Sequence, residues 1–401
     1  MGEAFFMRKL VSTSLAIGLI ALLAMFSSVM PASAHTTDSI LKDHIAAYAH
    51  LYLRVHKFAH NDSASGYTAA QLRKAYGVSQ LSNKGDGVTI AVVSAYGNPN
   101  AQADLDKYSS DYGLPSTKLK VVYPNGKPSS VDEGWALETN LDLQMAHVMA
   151  PNAYIVLEAG VDASLDSLFG AVKDAYINQG ADIVSMSFGT NEFDMETSND
   201  VDGVLAEGSH KGISFTAASG DNGYGTQYPA ASPYVTAVGG TTLNTKPDGT
   251  YVSESAWDGS SGGISMYENR PAYQKGFNRH GMRGVPDVAM VADPDTGVSI
   301  YDSYGYSGQK GYFVVGGTSA ATPLFAGILA LGKQIHKARL GNADTAIYNI
   351  ARTKYASDFH DITSGSNGSC GDVCRATQGY DFVTGLGSPV ANKLVPDLAA
   401  Q

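Results

Sequence analysis

The segment Gly317-Thr318-Ser319-Ala320-Ala321-Thr322-Pro323 joins two patterns of different period. Before it, Tyr312-Phe313-Val314-Val315-Gly316 reads as a Gly-rich strand end. After it, Leu324-Phe325-Ala326-Gly327-Ile328-Leu329-Ala330-Leu331 reads as an apolar helix. A serine at a strand-to-helix junction lies where unpaired backbone N–H groups and a partial positive charge collect. That setting suits a nucleophile whose attack creates an oxyanion. It equally suits an N-cap serine opening a core helix, and the heptapeptide alone does not separate the two.

Upstream, strands and helices alternate. Val88 to Val93 reads as a buried strand, Ala101 to Tyr112 as a helix, and Trp135 to Met149 as a helix closed by Pro151. Tyr154 to Leu157 reads as a strand, Leu165 to Tyr176 as a helix, Ile183 to Phe188 as a strand, Val201 to Lys211 as a helix and Ile213 to Ala217 as a strand. The order predicts an α/β fold with a central, mainly parallel sheet and helices on both faces. In this class, sites lie beyond the carboxyl ends of the strands.

Two acidic features fall at such places. Glu138 and Asp142 stand at i and i+4 on one face of the predicted helix, with no basic residue in reach along it. Adjacent carboxylates repel, so such a pair tends to hold one proton. Its neighbours Leu137, Leu141, Leu143, Met145 and Ala146 are apolar, which favours a cleft over a solvated face. Asp221 follows a predicted strand, on the loop Gly220-Asp221-Asn222-Gly223. By itself Asp-Asn-Gly reads better as a turn than as a site.

In this order, Glu-x-x-x-Asp, Ser-Gly-Asp-x-Gly and Gly-Thr-Ser-x-x-x-Pro resemble the sedolisins, serine-carboxyl peptidases on a subtilisin-like fold. Further matching stretches are Gly66-Tyr67-Thr68 to Tyr76-Gly77-Val78, Ala150-Pro151-Asn152-Ala153, Ser261-Gly262-Gly263, Arg270-Pro271-Ala272-Tyr273-Gln274, Val285-Pro286-Asp287-Val288-Ala289, Phe359-His360-Asp361-Ile362-Thr363 and Thr384-Gly385-Leu386-Gly387-Ser388-Pro389. The resemblance covers roughly residues 66 to 392 and implies one large peptidase domain over 66–401. It implies that Ser319 is the nucleophile of a serine-type endopeptidase and Glu138 its base. Asp142 would share a proton with Glu138, and Asp221 would be a protonated acid donating to the oxyanion. A carboxyl base and a neutral acid both require an acidic working pH. The resemblance also implies a calcium site in the region of about 358–390, from Asp361, Ile362, Thr377, Gly379 and Asp381. Two carboxylates and main-chain carbonyls are the hard donors calcium takes.

The sequence departs from the sedolisin pattern in places. Ser94 stands where a glutamate often extends the acidic network, Phe188 where a tryptophan is usual, and Thr377 where the calcium site usually has glycine. Only about thirty residues separate the predicted export-signal cleavage site from the catalytic domain, where a long folded pro-domain is usual. A histidine-based subtilisin is disfavoured, since no His-Gly-Thr-His motif occurs and His147 lies on the other flank of the acidic helix. A catalytically weak, secreted binding protein that keeps the fold is the alternative from another class.

The first 34 residues read as an export signal, with Arg8-Lys9, an apolar run from Leu10 to Val29, and Ala32-Ser33-Ala34 as the cleavage pattern. Its removal takes away Glu3, Arg8 and Lys9, so the net charge falls from −11 to −12. Such a balance disfavours nucleic acid and anionic membranes as partners, and protein or peptide substrates are what the resemblance implies. The expected location is therefore extracellular, with no stable membrane association. Asp38 to His60 reads as a short helix and Asn61 to Gly66 as a linker. Cys370 and Cys374, separated by three residues, form either a local disulfide or a reduced pair.

Overall fold

The strand Thr89–Ala95 is buried along nearly its whole length, and its side chains divide by parity. Ile90 packs in one apolar cluster and Ala91, Val93 and Ala95 in another. A period of two with both faces apolar is the mark of a strand covered on both sides. In this computed structural model, which describes residues 45–49, 52–54 and 66–401, that strand lies inside an eight-stranded sheet. The order across the sheet is Tyr251–Ala256, Val235–Thr245, Ser214–Ala218, Ile183–Met186, Thr89–Ala95, Tyr154–Gly160 and Lys120–Val122. Val288–Val291 also pairs with Val235–Thr245. All pairs are parallel except that of the edge strand Tyr251–Ala256.

Helices Glu133–Met149 and Thr318–His336 share the apolar cluster of Ile90, while helix Leu165–Ile177 covers the other face. The two helices of the first face approach closely where Gly327 meets the last turn of the acidic helix. A Cβ at 327 would lie 2.5 Å from the Met149 Cβ, so only glycine permits this crossing. The helix expected from Trp135 begins at Glu133, because Asp132 caps it by accepting from the Trp135 N–H at 3.0 Å.

The strand expected over Ile183–Phe188 is interrupted. It ends at Met186, and Phe188–Asn191 then pairs antiparallel with Gln227–Tyr228 outside the main sheet. Ser187 occupies the break.

The helix expected over Asp38–His60 is not formed by its described residues. Tyr48–Ala49 is a strand antiparallel to Phe188–Gly189, and Tyr52–Arg54 is one antiparallel to Val314–Gly316. The helical spacing rested on Ile40, Leu41, Ile45, Tyr48, Leu51, Tyr52 and Val55, of which the Ile, Tyr and Val are at least as suited to strands. Two unpaired strand edges then decide the conformation, and such edges are not visible in a local pattern. The expected export signal and the linker up to Ser65 lie outside the described residues. Cys370 and Cys374 are disulfide-bonded, with Cα atoms 5.4 Å apart.

Candidate active site

Ser319 is the second residue of helix Thr318–His336, fully buried at the C-terminal end of the sheet's strands. Gly316 and Gly317 make the junction. A Cβ on Gly316 would lie 2.4 Å from the Ala292 carbonyl oxygen, and Gly317 has φ 103°. At this helix position the Ser319 N–H has no carbonyl one turn back to donate to. Its Oγ donates to the Ser187 carbonyl at 3.3 Å. Pro323, four residues on, lacks the N–H that would normally reach the Ser319 carbonyl. The Ser187 hydroxyl lies 3.4 Å from that carbonyl.

Glu138 and Asp142 face this serine from the acidic helix, both buried. Ser187 Oγ donates to Asp142 Oδ1 at 2.6 Å, whereas Asp142 Oδ2 and both Glu138 oxygens have no hydrogen-bond partner among the described residues. Burial pushes the Glu138 carboxyl well above its ordinary range, and the charges of Asp142 and Asp221 push it further. The nearby Ser319 hydroxyl pulls the other way. Burial also raises Asp142 well above its range, opposed by the Ser187 hydroxyl and by Glu138. Two neighbouring acids buried out of water hold a proton between them.

Asp221 approaches from the loop after strand Ser214–Ala218. Its Oδ1 accepts from the Thr318 N–H and the Thr318 hydroxyl, both at 2.8 Å. Its Oδ2 is buried without a partner. Burial raises its pKa to about 7, against the pull of the two Thr318 donors. The proton of a neutral Asp221 therefore belongs on Oδ2, the one oxygen still free to donate.

The structure thus brings together the four residues singled out in the sequence, and adds two that were not. Ser187 links Asp142 to Ser319, and Thr318 fixes the orientation of Asp221. Ser94 bonds Thr139 Oγ1 at 2.9 Å, so it does not extend the acidic pair. His147 is spent elsewhere, with Nε2 at 2.9 Å from the Pro115 carbonyl and a pKa lowered by burial to about 4. Among the described residues no cluster of three or more His, Cys, Asp or Glu side chains could hold a metal. Asp361 and Asp381 nonetheless bracket one turn. Asp361 accepts from Gly379 N–H at 3.0 Å and Asp381 from Thr377 N–H at 3.0 Å.

The model of the subtilase family, Peptidase_S8, matches residues 136–359, which include Glu138, Asp142, Asp221 and Ser319. The chain belongs to the subtilase family. This subtilase is 28% identical over 360 residues to the sedolisin of Pseudomonas sp. (strain 101), a match covering 81% of this chain and 60% of the relative. It is 31% identical over 367 residues to the kumamolisin of Bacillus sp. (strain MN-32), with coverages of 83% and 64%. It is 29% identical over 365 residues to tripeptidyl-peptidase 1 of Dictyostelium discoideum, with coverages of 81% and 57%. The matches thus span less than two thirds of the length of these three relatives. Among solved structures, Pseudomonas sedolisin, a serine-carboxyl proteinase complexed with two molecules of pseudo-iodotyrostatin, superposes with a TM-score of 0.74 at 28% identity. That match covers 84% of this chain and 98% of the other. Sphericase, at 19% identity and a TM-score of 0.51, shares the fold alone. The subtilisin-like α/β fold and the sedolisin resemblance read from the motifs both hold.

Proposed function

We propose that this subtilase is a secreted serine-carboxyl endopeptidase working at acid pH. The observation that carries the reading is the buried Glu138–Asp142 carboxyl pair beside the Ser319 hydroxyl, joined to it through Ser187, while among the described residues no histidine bonds to the serine. Glu138 takes the Ser319 proton as Oγ attacks a peptide carbonyl carbon. Asp142 keeps the shared proton and stabilises the protonated pair. The oxyanion forms where the Ser319 N–H and the Asp221 Oδ2 proton converge. Glu138 then returns its proton to the leaving amine, and water hydrolyses the acyl-enzyme by the reverse sequence.

Calcium would bind at the C-terminal turn. Asp361 and Asp381 would supply charged oxygens, and the carbonyls of Ile362, Thr377 and Gly379 neutral ones. Both carboxylates act on the same Tyr355 hydroxyl, which burial and then Asp361 and Asp381 raise above its ordinary range. The ion would brace this turn and take no part in the reaction.

Export is supported by the signal pattern, and among the described residues no helix is long and apolar enough to cross a membrane.

The test is digestion of a denatured protein at acid pH by wild type and by Ser319→Ala. The variant loses one 3.3 Å hydrogen bond, so it should fold normally while turnover falls by roughly 10⁴-fold or more. Equal digestion by a purified, folded variant would remove Ser319 from the mechanism.

A further inference from the structure

Glu192 stands five residues after Ser187, and Thr226 five residues after Asp221. The two meet. Thr226 Oγ1 donates to Glu192 Oε2, Ser265 Oγ donates to Glu192 Oε1, and the Met266 N–H donates to Oε2 at 3.2 Å. Glu192 is buried, so these bonds are made out of reach of competing water. Ser265 is itself held, because its Oγ accepts from the Glu268 N–H at 2.8 Å and the Tyr267 N–H at 3.2 Å. One carboxyl group therefore ties three segments together: the one that follows Ser187, the one that follows Asp221, and the strand Gly263–Asn269.

The first two of these segments flank the nucleophile. Ser187 takes the Ser319 hydroxyl on its carbonyl and donates its own hydroxyl to Asp142, while Asp221 is held on Thr318. Their backbones meet in a short ladder, Thr190 opposite Tyr228 and Asn191 opposite Gln227. So short a ladder holds by few hydrogen bonds, and the side-chain bonds of Glu192 at its end weigh heavily in its hold. The titratable groups around Glu192 are Glu196 and Glu268, with Asp202 and Arg283 acting on Glu268. Burial raises Glu196 to about 9 and Glu268 to about 7, so at acid pH both are neutral and do not repel Glu192.

We propose that Glu192 is a positioning residue of the active site: by clasping the segment of Ser187 to the segment of Asp221, it keeps both groups in register with Ser319. The proposal rests on the peptidase reading above. The bonds of Glu192 go to Thr226, Ser265 and Met266, so it acts through the two segments and takes no part in proton transfer. With the clasp open, the break that holds Ser187 can shift away from the acidic helix. Asp142 then loses its hydroxyl donor, and Ser319 loses the carbonyl that orients its Oγ. On the other flank, the loop of Asp221 is released from the strand that follows it.

Wild type, Glu192→Ala, Glu192→Gln, Ser187→Ala and the variant carrying both alanine substitutions are assayed across pH on one peptide that wild type cleaves. The kcat is taken per folded molecule, with the folded fraction read from the unfolding curve, so that lost stability alone does not lower it. Glu192→Ala should lose about 10- to 100-fold in kcat, the cost of a small misplacement of reacting groups. Its alkaline limb should move up, because a loosened Ser187 favours the ionised Asp142 less. Glu192→Gln keeps an acceptor oxygen and should recover most of the loss. Glu192→Ala and Ser187→Ala should together cost less than the sum of their separate losses, since one acts partly through the other. Where Glu192→Ala does not fold, Thr226→Val, which removes one donor of the clasp, should give smaller changes in the same directions. A folded Glu192→Ala, or in its place Thr226→Val, with the kcat and alkaline limb of wild type overturns the clasp and leaves the peptidase reading standing. Losses that add in full also overturn it. A wild type that cleaves no peptide at any pH overturns both.

Discussion

Ser187 Oγ donates to Asp142 Oδ1 across 2.6 Å, the one hydrogen bond this carboxyl receives among the described residues. The donor comes from the break between two strands, and the acceptor from the helix that carries Glu138. The bond favours the ionised form of Asp142 and so opposes the effect of burial. Removing it makes the second proton of the pair harder to lose. In Ser187→Ala the alkaline limb of the activity profile should therefore move up by about one pH unit, the equivalent of roughly 1.4 kcal/mol lost from the charged state. A kcat/KM profile against pH checks this, and a limb that stays in place would mean that Asp142 does not set it.

Stability should fall as pH rises from acid to neutral. Burial raises Asp202 to about 6, Glu268 to about 7, Asp221 to about 7, Glu158 to about 8 and Glu196 to about 9. Their unfolded values lie near 4. Between those limits the native state binds more protons than the unfolded state, so the free energy of unfolding decreases with rising pH. The buried His147 and the half-buried His360, both lowered to about 4, oppose this only below their unfolded value near 6.5. Thermal unfolding of Ser319→Ala, which avoids self-digestion, should give a higher Tm near pH 5 than near pH 8. A Tm that rises over that range contradicts the assignment of these acids as buried and protonated.

Calcium should raise the Tm by binding only the native turn. An ion present at about 100 times its Kd contributes about 2.7 kcal/mol. A chelator should lower the Tm of wild type by several degrees and leave Asp381→Asn nearly unaffected. Equal unfolding curves for wild type with and without chelator would exclude calcium at Asp361 and Asp381.

Legibility in the sequence followed how local each determinant was. The sheet could be read because a parallel strand buried on both faces is an unbroken apolar run, as at Thr89–Ala95. Glu138 and Asp142 stood out as two acids one turn apart among the apolar Leu137, Leu141, Leu143, Met145 and Ala146. Asp221 did not stand out by its residues, because Asp-Asn-Gly is also good turn chemistry. It was assigned by resemblance, and its distinguishing feature, a buried Oδ2 without a partner, exists only in three dimensions. Ser187 was read as part of a continuous strand, since small and apolar residues run straight through it. Residues 45–49 and 52–54 were misread as helix because the partners of their strands, Phe188–Gly189 and Val314–Gly316, lie more than a hundred residues away.

The central claim is that carboxyl groups, and no imidazole, run the chemistry. Asp221 can donate to the oxyanion only while protonated, and it loses its proton as pH passes about 7. The Glu138–Asp142 pair must likewise keep one proton between its members. The most direct measurement is kcat/KM against pH for mature wild type and Asp221→Asn on one peptide. Wild type should peak in the acid range and fall steeply toward neutrality while still folded. Asparagine donates without needing a proton, so the variant should be weaker at the optimum, by about 10²–10³ at most, and lose less of its activity as pH rises. A wild-type profile that climbs to a plateau above neutrality would contradict the carboxyl assignment.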